Sequence, residues 1–128
     1  MHAYDFINQT HVDLSSESEI EEFNEILKDY FGGYVALWDY CVSHSYAILS
    51  LSNKTNDKFL NLFIGSTIRI ELDTDWQNKE LTLKRSENPN EYCLSDEGQK
   101  IIFFYLSYRL ENEPIHTIQA RLQDEQKN

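Results

Sequence analysis

The sequence predicts an α+β fold: an antiparallel meander sheet of about five strands, with an N-terminal helix and two C-terminal helices packed on it. Three observations predict this. Apolar residues recur at helical spacing before residue 32, then alternate with the two-residue period of strands up to about residue 84. Eight Tyr and seven Phe raise the aromatic content to 13%, and such side chains favour strands. Hydrophobic content of 41% supplies a core, so the high charge does not imply disorder.

With 128 residues, one α+β domain over 1–128 is expected, able to bury about two-thirds of its unfolded surface. Residues 1–14 read as an N-terminal arm or short strand. Ser16 followed by Glu19 is a capping box. Ile20, Phe23, Leu27 and Tyr30 then share a helix face, with Ile26 and Phe31 alongside, until Gly32 and Gly33 stop the helix.

Residues 34–42 place apolar side chains on both faces, which predicts a central, doubly covered strand. A second strand is expected over 46–52 and a third over 59–64, separated by a turn at 53–57. Residues 67–73 alternate with Ile68, Ile70 and Leu72 inward. Residues 80–84 repeat this with Leu81 and Leu83, and the two read as a hairpin. From Tyr92 a short strand feeds a helix capped by Ser95 and running to about Leu110. Aromatic density leaves a strand open for 100–110. A last helix starts at Pro114 and presents Ile115, Ile118 and Leu122, and residues 124–128 fray.

Residues Glu91 to Gly98 resemble the strand-to-helix junction that follows the wing in winged-helix regulators. Upstream there is neither a helix-turn-helix pattern nor a basic recognition helix, so nothing further is carried over from that family.

The net charge is −11, and it is unevenly placed. Residues 13–29 hold seven acids and one base, more than half of the net charge. On the predicted helix, Glu17, Glu21 and Glu25 share the face opposite the apolar one, flanked by Glu22 and Asp29. The like-charge i,i+4 pairs Glu21–Glu25 and Glu25–Asp29 each cost on the order of 0.2–0.5 kcal/mol. A cationic partner would relieve them. Such a field repels nucleic acid and anionic membranes. A second acidic place is the turn holding Asp73, Asp75 and Trp76, where Trp between carboxylates is a typical interface anchor.

The remaining motifs are weaker. Asp39 lies on the face of Leu37 and Cys41 in a strand that reads as central. A buried carboxylate there is either a pocket group, with Tyr40 and Tyr46 nearby, or a structural one bonded to Arg69, a Tyr hydroxyl or an amide. Cys41 and His44 have opposite strand parity, which argues against a dyad. His2, His11, His44 and His116 are isolated, and no C-x-x-C or H-E-x-x-H occurs. The run from Asp73 starts like a calcium loop but has Asn78 at position six and Lys84 at position twelve. No metal, cofactor or phosphate cradle is therefore expected. Lys79, Lys84 and Arg85 make only a small basic patch.

No secretory signal or membrane-length apolar run is read, and two cysteines are too few for a disulfide scaffold, so a cytoplasmic protein is expected. The functional expectation is a small acidic non-enzymatic protein, an inhibitor or immunity type that masks a basic protein partner. A small enzyme or ligand-binding domain with a pocket near Asp39 is the alternative. Homo-oligomerisation, if it occurs, would use 101–110.

Overall fold

The computed structural model describes residues 9–41, 46–88 and 90–126. Thr10–His11 form a short strand, β1. Ser16 then caps helix α1, Glu17–Lys28, with its hydroxyl accepting from the Glu19 amide at 3.4 Å. The Glu19 carboxylate accepts from the Asp13 amide rather than from Ser16, which shifts the predicted box by one turn. Ile20, Phe23 and Leu27 are buried along the expected face. Gly32 takes the left-handed conformation at φ 89°, which favours glycine. At Gly33 a Cβ would lie 1.8 Å from the Ser52 carbonyl oxygen, so the chain can leave the helix here only without a side chain.

Nine strands and a second helix follow. They are β2 Tyr34–Cys41, β3 Tyr46–Ser52, β4 Phe59–Gly65, β5 Arg69–Glu71, β6 Asp75–Gln77, β7 Thr82–Arg85, β8 Tyr92–Asp96, β9 Gln99–Phe103, β10 Tyr105–Glu111 and α2 Ile115–Gln126. The fold is thus mixed and rich in antiparallel sheet, but the single sheet of about five strands is corrected. There are two sheets, ordered β1-β10-β4-β3-β2-β6 and β5-β9-β8-β7. One core draws on both sheets and α1. Leu49, Leu62 and Leu106 come from the first sheet, Leu83, Leu94 and Phe103 from the second. The opposite face of the six-stranded sheet holds a smaller cluster, in which Ile115 and Ile118 of α2 cover Ile48 and Phe63. The side chain of Leu122 lies outside the described residues.

The expected helix from Ser95 to Leu110 is instead β9 and β10. Asp96 pairs with Gln99, leaving Glu97 and Gly98 as a two-residue turn, with Gly98 at φ 75°. The resemblance of Glu91 to Gly98 to a strand-to-helix junction ends at this turn. Consecutive apolar residues here reflect a change of sheet, not an apolar helix. β9 belongs to the four-stranded sheet and β10 to the six-stranded one, and Phe104 is the crossing residue.

The predicted hairpin of 67–73 with 80–84 does not form. β5 pairs with β9 and β7 with β8, at opposite edges of one sheet, while the connection inserts β6 beside β2 in the other sheet. Leu81 and Leu83 are buried as expected, but Ile68 is 51% exposed. The doubly buried strands are β3 and β4, not β2, which lies one strand in from an edge.

Asn78 holds this crossing together. It is fully buried. Its amide nitrogen donates to the Tyr30 carbonyl and its amide oxygen accepts from Leu81 N. Its backbone bonds Gly32 N at 2.7 Å and Gly33 O at 2.9 Å. Asn78→Ala should therefore strand the Leu81 amide, leave the Tyr30 carbonyl with the Gly33 amide alone, and cost about 1–3 kcal/mol. Exposed Glu87→Gln should stay within about 0.5 kcal/mol. Urea unfolding of both variants checks this, and a loss at Asn78 no larger than at Glu87 would refute the assignment.

Candidate functional site

Helix α1 is fixed from beneath. Asn24 donates to the Leu83 carbonyl at 2.9 Å and accepts from the Leu83 amide at 2.8 Å, so its side chain pairs with edge strand β7 as a neighbouring strand would. Phe23 packs against Tyr108, ring centroids 5.4 Å apart. On this anchored helix Glu17, Glu21, Glu22, Glu25 and Asp29 are all exposed. Lys28 pairs with Glu25 at 2.7 Å, and Arg85 approaches Glu17 at 3.9 Å. Among the described residues, Glu21, Glu22 and Asp29 have no basic partner. The field of the helix is felt nearby. Burial and then the Glu22 and Glu19 carboxylates push the Tyr108 hydroxyl above its ordinary pKa, and burial and then Asp29 do the same at Tyr30.

The second acidic place has internal partners. The Asp73 carboxylate accepts from the Gln99 amide at 2.8 Å, while Asp73 N donates back to Gln99 at 2.7 Å. Asp75 is exposed on β6. Trp76 is half-buried against the main core, and its indole donates to Asp96 at 3.1 Å. Asp96 also accepts from the amides of Lys79, Glu80 and Glu97. Burial alone would raise its pKa, but these hydrogen bonds outweigh burial and hold the carboxyl below its ordinary range.

For the Asp39 reading, the register matters. Leu37 pairs with Leu49, yet Asp39 pairs with Ile48, so a bulge at Trp38 changes the parity of β2. Asp39 therefore does not share the register face of Leu37. The side chains of Asp39, Tyr40 and Cys41, and all of His44, lie outside the described residues. Tyr46 lines an apolar cavity of about 250 Å³ on the α2 side of the six-stranded sheet, together with Gln9, Ile48, Phe63, Gly65 and Tyr105. Sequence reading missed Gln9, Gly65 and Tyr105. The only signal was a glycine ending a strand, and nothing local says that two tyrosines flank it.

The basic patch is divided. Lys79 pairs with Glu97 at 2.9 Å, whereas Lys84 and Arg85 join Arg69 and Lys100 along an open groove of about 870 Å³ on the four-stranded sheet. Among the described residues no group of three or more His, Cys, Asp or Glu is placed to hold a metal ion. No helix there is long and apolar enough to cross a membrane. In the 101–110 segment, Ile101, Phe103 and Leu106 face the core, and Phe104, Tyr105 and Leu110 are exposed.

The chain matches no family model, and no curated protein and no solved structure matches it. The site must be read from its own chemistry.

Asp96 gives a pH test. Its folded pKa is lowered, so its contribution is full above the ordinary carboxylate value near 4 and is lost as pH falls through the lowered folded value. Asp96→Asn should cost about 1–3 kcal/mol at neutral pH. The gap from wild type should narrow as pH falls below about 4. A gap in denaturation midpoint that stays constant from pH 7 to pH 3 would contradict the account.

Proposed function

We propose that this protein is a non-enzymatic binding protein whose acidic helix face covers a cationic surface on a protein partner, as an inhibitor or immunity-type protein does. One observation carries the reading. Glu17, Glu21, Glu22, Glu25 and Asp29 are exposed together on a helix held by the core and by Asn24, and among the described residues only Lys28 and Arg85 oppose them. A fixed array of like charges needs no ordering when a cationic partner docks, so its repulsion becomes binding free energy at little entropic cost. It also steers association at a distance. Asp75, exposed on β6, extends the acidic character, while Asp73 and Trp76 are held by Gln99 and Asp96 and act as a shaped rim. A cytoplasmic setting fits the free, buried thiol of Cys93.

The test compares two variants of equal net charge. One carries Glu21→Gln, Glu22→Gln and Glu25→Gln, the other Glu80→Gln, Glu87→Gln and Glu91→Gln. A partner is captured from host lysate at low salt and its association rate measured with each. The helix variant should associate on the order of tenfold more slowly, with a flatter dependence on salt. Equal rates for the two variants, or a wild-type rate indifferent to salt, would end the proposal.

A further inference from the structure

The two edges of the four-stranded sheet differ. At β7 the Asn24 side chain takes the Leu83 amide and carbonyl, so α1 closes that edge. At the opposite end, among the described residues, β5 has β9 on one side and no strand on the other. The core row that crosses the sheet records the difference. Leu83, Leu94 and Ile101 are in register and buried, whereas Ile70, next in the row, is only half-buried against the core.

The backbone of this edge faces outward at Ile70. The Ile102 carbonyl accepts from Ile68 N at 2.8 Å, so Ile102 turns its polar groups toward β5. Its register partner Arg69, and then Glu71, turn theirs toward β9, and Ile70 between them turns its amide and carbonyl to the open side. Charged side chains on an edge ordinarily deter pairing. Here Arg69 and Glu71 flank Ile70 with opposite charges, both exposed and 2.8 Å apart. Antiparallel pairing of Arg69-Ile70-Glu71 with itself sets Ile70 opposite Ile70 and each Arg69 opposite a Glu71. Parallel pairing in register would set like charges side by side. The edge is thus self-complementary in the antiparallel orientation centred on Ile70.

We propose that two copies of this chain associate edge to edge through β5, about a two-fold axis at Ile70, so that two four-stranded sheets become one continuous sheet. The two Ile70 residues exchange amide–carbonyl hydrogen bonds. The Arg69–Glu71 pairs then fall at the non-hydrogen-bonded positions, where facing side chains are closest, and the two half-open core rows meet. A two-fold contact closes on itself, so association stops at a dimer. A strand this short buries little area, which makes the dimer weak, with a dissociation constant on the order of 0.1–1 mM. The contact lies at the edge away from α1, so the acidic face stays open in both copies and the inference does not rest on the proposed partner.

Charge reversal is the test. Sedimentation equilibrium and ¹H–¹⁵N spectra of the full chain, taken up to about 1 mM, should show a dimer, with concentration-dependent shifts centred on Arg69, Ile70 and Glu71. Arg69→Glu and Glu71→Arg should each weaken self-association about tenfold, since like charges then face each other. Both side chains are exposed, so neither change should disturb the fold. Mixed in equal amounts, the two variants should associate with each other at least as tightly as wild type does with itself, because every facing pair is then opposite in charge. A wild-type chain still monomeric at about 1 mM, variants that self-associate as wild type does, or a mixture that associates no better than either variant alone would overturn the proposal.

Discussion

Asn78 stands where three segments meet: the end of α1, the start of β2 and the crossing from β6 to β7. All four of its polar groups are used, two by the side chain and two by the backbone. A buried amide is costly unless every group finds a partner, and a fully satisfied one admits few alternative arrangements. This residue therefore decides which strands can be neighbours. It holds the chain near Gly33 after β6, so β6 lies beside β2 while β7 joins the other sheet. Asp96 repeats the device one turn away, taking the Lys79 and Glu80 amides that would otherwise lack strand partners.

The six-stranded sheet depends on the same economy on its far side. Ser50 donates to Asn61 at 2.6 Å and accepts from Ile115 N at 3.1 Å, so a buried polar pair in the sheet receives a free amide at the start of α2. The Asn61 amide in turn reaches Glu111 and the Glu113 carbonyl. Ile115 and Ile118 complete the cover over Ile48 and Phe63. Beyond that cover, where Gly65 interrupts the row of side chains, the sheet face opens into the cavity.

The acidic face and the cavity differ in what makes them. The acidic face follows from chain-local chemistry, since residues on a helix three or four apart must share a side. Tertiary structure adds its rigidity, through Asn24 against β7. The cavity is wholly a product of pairing. Tyr46, Gly65 and Tyr105 lie far apart in the chain and meet only because β4 runs between β3 and β10.

Local signals explain the elements that were legible: the Ser16 cap, the Ile20–Phe23–Leu27 face, the stop at Gly32 and Gly33, strands β3 and β4, and a last helix after Pro114. Each rests on contacts within a few residues. The residues after Ser95 misled because Ile101 to Leu106 is apolar throughout, and periodicity cannot separate a buried helix from two strands that exchange sheets at Phe104. The bulge at Trp38 was likewise invisible, since one extra residue against β3 reverses the parity on which the Asp39 reading stood. By itself the sequence determined the ends of α1, several strands and the acidic stripe, because capping, glycine stops and i,i+4 spacing act within one turn of chain; the tail expected to fray from residue 124 instead continues α2 to Gln126. Only the tertiary structure decided strand order, the division into two sheets and the cavity, because these depend on which buried polar groups at distant positions satisfy one another.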